Sequence, residues 1–328
     1  IENEDYESLK AKNDIIKETI KDNFNYLLHN LTIQKNDYEF IIKNFNSNDY
    51  LKNIVIQKEI VTEKKYIADI DIFFDEEKII NLYKKNKIVF SDTISPNFLL
   101  VSGYNFDGSN ILWEKNSWNK NWNSLTNFNN QINIIIPNEK KINKILLSYY
   151  DIKNLNIINL NKILNYYNLD HLIILRAKKI YNSDNSKIYI DLNITLYESK
   201  NASLKNIYSK EINIENLDKK NLLEDLTLFS YNKIFEWWKN ETITYFDTKN
   251  NIICTFISSD IYEIQKIKNQ LLSISQIDQI KLYSLNINDI AFDLSFFGNM
   301  NELINILKLS NLSLKYDSND CYLSYESI

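Results

Sequence analysis

Glycine, proline and arginine are nearly missing from this chain: in 328 residues there are three, two and one, the last being Arg176. Three glycines cannot build a phosphate-cradling loop, and neither Gly-x-Gly-x-x-Gly nor Gly-x4-Gly-Lys-Ser/Thr occurs. The two cysteines, Cys254 and Cys321, are too few for a disulfide scaffold and have no zinc spacing. Both fall in predicted strands and read as buried reduced thiols, the usual state of a lone cysteine in a core. A bridge between them requires neighbouring strands and an oxidising compartment. The two histidines, His29 and His171, have no partner at a catalytic motif spacing and read as structural. No apolar run approaches the roughly 20 residues that cross a bilayer. No cluster of Lys and Arg makes a phosphate-tracking stripe or a polybasic membrane patch, which speaks against a nucleic-acid partner.

What fills the vacated places is Lys, Asn, Ile and Tyr. Residues with GC-rich codons are scarce, the mark of a low-GC genome and not of a function. Asn-rich stretches and sequons such as Asn193-Ile194-Thr195 therefore carry little information here. At 44% hydrophobic, 25% charged and net charge -5, the composition is that of a folded globular protein. Its length suggests two or three domains. The chain begins at Ile1 and not at Met, which fits an export signal removed upstream and a periplasmic or envelope-associated location.

The periodicity predicts an α+β protein of three modules. Residues 1–92 read as a helix–hairpin–helix α/β module. Leu9, Ile16, Ile20, Phe24, Leu27 and Leu31 form one helical stripe, capped by Asp5 or Asn3. Strands at Ile54–Thr62 and Lys65–Phe74 turn at Glu63-Lys64, and Asp75 caps a following helix. Residues 93–247 read as an α/β module in which Gly103 and Gly108 punctuate a turn that needs unusual backbone angles. A Trp-rich helix follows. Ile132–Ile136 reads as a strand buried on both faces, Lys140–Tyr150 as one helix, and Leu222–Trp238 as a long closing helix. Residues 248–328 follow the order βαββαβ, a ferredoxin-like split βαβ pattern with an extra terminal strand.

Three stretches resemble one family. Leu112-Trp113-Glu114-Lys115-Asn116-Ser117-Trp118-Asn119-Lys120-Asn121-Trp122 resembles its "LW-x-x-N-x-W-x-x-x-W" block. Tyr66-Ile67-Ala68-Asp69-Ile70-Asp71-Ile72-Phe73-Phe74-Asp75 is similar to its strand-then-helix block. Gly298-Asn299-Met300-Asn301-Glu302-Leu303, leading to Tyr322-Leu323, resembles its C-terminal block. The family is the proteobacterial group of domain of unknown function 2066. The resemblance implies an exported, envelope-facing protein of uncharacterised activity and carries over no catalytic residue. The middle module also resembles the amino-terminal domain of the periplasmic translocation protein TolB, a likeness of fold only.

The candidate partner-binding residues are Trp113, Trp118 and Trp122. Trp118 and Trp122 share a helix face and suit an aromatic platform for a partner or glycan, against the alternative of domain packing. Trp237 and Trp238 end the long helix, one inward and one at a domain junction. Asp69 and Asp71 share a strand face but lack further ligands, so a solvated face outweighs a cation site. No catalytic residue, cofactor or metal ligand is assigned. The function expected is that of a non-enzymatic binding or assembly protein of the cell envelope, its partner unspecified. The alternatives are a ferredoxin-like nucleic-acid or small-ligand module, with Phe256 and Phe292 as base-stacking aromatics beside Asp289 and Asp293, or an enzyme whose site is assembled from distant residues.

Overall fold

A computed structural model describes all residues except 1, 4–8, 62–65, 126–130, 139, 184–185, 217–220, 247, 259, 287–288, 311, 318–319 and 326–328. The cap Asp5 and the turn Glu63-Lys64 lie outside the described residues. The protein is mixed α+β. It divides into two compact units, one of residues 1–92 with 242–328 and one of residues 93–241. The three-module reading separates the first and last segments; they fall together in one unit.

The first unit begins with β1 (Glu2–Asn3), α1 (Leu9–Leu31), α2 (Lys35–Asn44), α3 (Ser47–Tyr50), β2 (Leu51–Val61), β3 (Tyr66–Phe74) and α4 (Glu76–Asn86). Asn3 pairs with Tyr66 in a sheet of order β1-β3-β2. Ile20, Phe24, Leu28 and Leu31 are the buried stripe of α1, with Leu28 and not Leu27 at its centre. The Asp75 carboxylate accepts the Lys78 N–H at 3.1 Å and caps α4, as its sequence predicts.

The second unit contains β4 (Asn97–Phe106), β5 (Ser109–Ile111), α5 (Ser117–Leu125), β6 (Asn133–Ile135), α6 (Lys141–Leu146), α7 (Tyr149–Asn154), α8 (Ile157–Tyr167), β7 (His171–Asn182), β8 (Lys187–Glu198), β9 (Ser203–Asn213) and α9 (Leu222–Glu241). Its sheet runs β5-β4-β7-β8-β9, with β4 parallel to β7 and β6 added beside β4. The strand predicted at Ile132–Ile136 is shorter and is not buried on both faces, because it pairs only at the sheet margin. The helix predicted over Lys140–Tyr150 is two helices: Ser148 breaks it by forming a capping box with Asp151. Only one of the two neighbouring glycines makes a turn. Asp107 and Gly108, both at positive φ, form the two-residue loop between Phe106 and Ser109. Gly103 lies within β4 and serves a close approach, since a Cβ there would sit 2.6 Å from the Ile152 side chain.

The chain then re-enters the first unit with β10 (Lys249–Ile257), α10 (Ile261–Leu272), β11 (Ile277–Leu285), β12 (Asp289–Phe297), α11 (Met300–Leu309), β13 (Leu312–Asp317) and β14 (Asp320–Tyr325). The sheet order is β11-β12-β10-β14-β13. The extra strand β14 is therefore not terminal in the sheet. It is inserted between β10 and β13, parallel to β10. Cys254 and Cys321 come side by side on these two strands, Cα to Cα 4.4 Å, and are disulfide-bonded. This corrects the reading as reduced thiols. The bridge spans 67 residues, so the chain-entropy model gives it about 4 kcal/mol of stabilisation.

With so few glycines, several left-handed positions fall to other residues, among them the helix ends Lys87, Leu155 and Asn168. Such a conformation costs a side-chain-bearing residue about 1–2 kcal/mol, less for Asn. Lys87→Gly is expected to raise the unfolding free energy by about 0.5–1 kcal/mol once glycine's larger chain entropy is subtracted. Urea denaturation checks this; an unchanged or lower midpoint contradicts it.

Candidate functional site

The tryptophan block comes first, because the sequence points to it. Trp113, Trp118 and Trp122 are 5%, 0% and 0% exposed. Rings so enclosed present no platform to a partner, so the block is internal packing in this structure. Its spacing has a local cause centred on Asn116, itself fully buried. The Asn116 amide donates to the carbonyls of Ser102 at 2.7 Å and Leu112 at 2.6 Å. Its carbonyl accepts the N–H groups of Trp118 and Asn119, at 3.0 and 3.2 Å, which caps α5. Ser102 donates to Asn119 at 2.5 Å, and the Trp113 indole donates to the Leu147 carbonyl at 2.6 Å. One side chain thus locks α5 to β4, and the tryptophans fill the space this leaves. The Trp118 and Trp122 indole nitrogens have no hydrogen-bond acceptor among the described residues.

The other tryptophans are also structural. Trp238 is buried, donates to the Thr93 carbonyl at 2.8 Å and packs edge-on against Phe98. Trp237 is half-buried beneath the Lys205 ammonium. Asp69 and Asp71 lie on the exposed face of β3, where Asp71 accepts from Gln57 at 2.6 Å. His29 sits in the last turn of α1, its ring edge against Tyr38. His171 opens β7 against Phe98, and burial holds its imidazole below the usual histidine range. Among the described residues, no group of three or more His, Cys, Asp or Glu is placed to hold a metal ion.

The C-terminal sheet is where surface chemistry gathers. Helices α10 and α11 cover one face through Ile267, Leu271, Leu303 and Leu307, against Cys254, Phe292 and Leu294. Phe256 and Phe292 point into this core and are 4% and 2% exposed. They are not available to stack on bases, which removes the pair on which the nucleic-acid reading rested. The opposite face carries a shallow, open cleft of about 300 Å³ lined by Lys249, Asn251, Gln279, Lys281, Asp293 and Ser295. Lys249 bonds Asp278 at 2.6 Å, and that contact, with Lys84 at 3.6 Å, holds the Asp278 carboxyl below its usual range.

The far end of the same sheet is apolar. β10 and β11 both run antiparallel to β12, so they end together, and α10 starts from that end. Ile257, Ile261, Tyr262, Leu282, Tyr283 and Leu285, at or near that end, are each at least 60% exposed. By register Leu282 and Leu285 share the helix-covered face with Phe292 and Ile290, and Ile257 faces the other way. Three carboxylates stand around them. Asp260 caps α10, Glu263 accepts from Ser258, and Asp289 accepts from Asn286. None of the three makes an ion pair among the described residues. Sequence reasoning missed this tip. Its only signal was a surplus of large apolar residues where strands and helix meet their loops.

The protein is thus an α+β chain with several large apolar side chains exposed near one end of its C-terminal sheet. No protein-family model, no curated protein and no solved structure matches this chain.

Two measurements test the packing described. Asn116→Ala should lower stability by about 2–3 kcal/mol, through the lost cap and the orphaned buried carbonyls. Trp118→Ala should cost about 3–5 kcal/mol; losses below 1 kcal/mol in urea unfolding would mean the block is not core. Near Asp278, burial raises the Asp92 carboxyl above its usual range although Ser275 donates to it. A raised carboxyl pKa means the folded state holds the proton more tightly, so its contribution to stability falls as pH rises from the usual carboxylate range through the folded pKa. Asp92→Asn is therefore expected to raise the melting temperature at pH 7 and to reduce the stability that wild type recovers as pH falls toward the carboxylate range. Identical pH profiles would contradict this.

Proposed function

We propose that this is a non-enzymatic binding or assembly protein of the cell envelope, and that it binds through the apolar tip of its C-terminal sheet. The observation that carries the binding role is the exposure of six large apolar side chains on β10, α10 and β11 near one end of the sheet. Soluble monomers rarely leave contiguous apolar patches larger than a few hundred Å² uncovered, and larger ones mark interaction sites. Exposed apolar side chains at strand and helix ends suit recognition of another macromolecule better than turnover of a small substrate.

The envelope location is supported by the Cys254–Cys321 disulfide, since such bridges form and persist in oxidising compartments. It agrees with what the resemblance to domain of unknown function 2066 implies. Within this reading, the 248–328 segment is a ferredoxin-like module modified by the inserted β14, because β10 and β11 are parallel with β12 between them. The second unit is read as TolB-like. The tryptophan block belongs to the family resemblance through its packing role around Asn116.

Two experiments test the proposal. Protein isolated from its own cells in the presence of an alkylating agent should carry no label on Cys254 or Cys321 until it is reduced; a doubly labelled pool would remove the support for the envelope. Crosslinking in envelope fractions should give adducts that disappear in the Leu282→Ser/Leu285→Ser double variant and persist in Tyr181→Ser, at an exposed tyrosine of the second unit. Adducts indifferent to the tip substitutions would sink the binding role.

A further inference from the structure

The tip's composition limits what it can receive. Its six apolar side chains come from three elements, the end of β10, the start of α10 and the end of β11. Leu282 and Leu285 lie on the sheet face that α10 and α11 cover, beside their partners Phe292 and Ile290. β11 is an edge strand, yet its ladder to β12 shifts register between Leu282 and Ser284. A bulge at that point interrupts the row of outward-facing backbone groups and disfavours addition of a partner strand. A surface assembled from several elements suits the apolar face of a helix laid across it.

Charge selects the partner further. Asp260, Glu263 and Asp289 stand at the tip without ion pairs among the described residues. Lys266 is one turn along α10 and lies over the Tyr325 ring, and Lys281 precedes Leu282 and lines the polar cleft. Three unpaired carboxylates beside the apolar patch repel an anionic lipid surface and an acidic peptide. They also disfavour a second copy, which would bring the same three charges to a symmetric contact.

We propose that the tip docks a basic amphipathic helix of a partner protein, whose apolar stripe covers Leu282, Leu285, Ile261 and Tyr262 and whose lysines or arginines pair with Asp260, Glu263 and Asp289. This rests on the tip being a binding surface, as proposed above.

The test uses the whole chain and a defined probe. A synthetic peptide of about 18 residues, made only of Leu and Lys with its leucines on one helical face, is titrated against the protein by fluorescence anisotropy. It should bind saturably. The Leu282→Ser/Leu285→Ser variant should weaken binding about tenfold. Glu263→Gln/Asp289→Asn should weaken it roughly threefold, and salt should weaken the wild type more than this variant. A scrambled peptide, and one with Glu in place of Lys, should bind far less. Circular dichroism confirms that both variants remain folded. Equal binding of the scrambled peptide, or affinities that both variants leave unchanged, would overturn the inference. Phosphatidylcholine vesicles and sedimentation of the protein alone complete the experiment. Tip-dependent vesicle binding or dimerisation without peptide binding would overturn the basic helix as occupant yet keep the tip as a binding surface. No tip-dependent change in any of the three assays would remove both readings.

Discussion

Phe90 holds the first unit together at the point where the chain crosses out of it and back. The chain leaves this unit after residue 92 and returns at 242. At the crossing, the Phe90 backbone bridges to Thr32 on one side and Thr244 on the other, and its ring stacks on Phe246 at 5.7 Å. Phe246 in turn meets Phe297, the last residue of β12, edge-on at 5.0 Å. Ser91 and Thr242 share a hydrogen bond of 2.7 Å beside them. A sheet pinned at the end where β12 finishes is committed there. Phe297 packs under Lys84 of α4, and Asp278 bonds Lys84 and Lys249 at the same end. At the opposite end, where β10 and β11 finish, Ile257 and Leu285 are largely exposed.

The disulfide serves the same sheet at a different weak point. β14 joins β10 by two residue pairs only, Thr255 with Tyr322 and Phe256 with Leu323. A parallel ladder so short contributes little, and β13 hangs on β14 alone. The Cys254–Cys321 bond lies next to that ladder and fixes the β13–β14 hairpin to the rest of the sheet. The core residues Leu312, Leu314 and Leu323 depend on the hairpin staying in place. The disulfide therefore supports this segment where its ladder is shortest.

Much of the architecture was legible in the sequence, since periodicity records which face of an element is buried. The stripe of α1, the Asp75 cap and the strand–helix order of the last segment all follow from residue spacing. What spacing cannot record is what lies against a face, or at an end. The run at Ile132–Ile136 looks like a doubly buried strand, yet its pairing at the sheet margin leaves it half-covered. Cys254 and Cys321 sit 67 residues apart, and only the insertion of β14 beside β10 makes them neighbours. The tryptophans are a sharper case. Their spacing marked a constellation correctly, but its cause is the fully buried Asn116, a residue that composition made unremarkable in an Asn-rich chain. The Leu282 and Leu285 side chains read as ordinary strand hydrophobes, and only the place of β11 at the sheet edge leaves them exposed beside the buried Phe292 and Ile290.

That last point bears on how binding and stability divide in this molecule. Large aromatic residues are the usual anchors of interfaces, but here the tryptophans with 0% exposure are committed to holding α5 on β4 and cannot be withdrawn without unfolding the layer. On the proposed reading, recognition falls instead to tyrosine, leucine and isoleucine at strand and helix ends, which are exposed. The two roles are carried by different residues in different units. Changes at the tip can therefore alter partner choice with little effect on folding, whereas changes in the tryptophan block act through folding. A surface of this kind tolerates sequence drift as long as its apolar area and its unpaired carboxylates persist, and it leaves no fixed motif for a reader of the sequence to find.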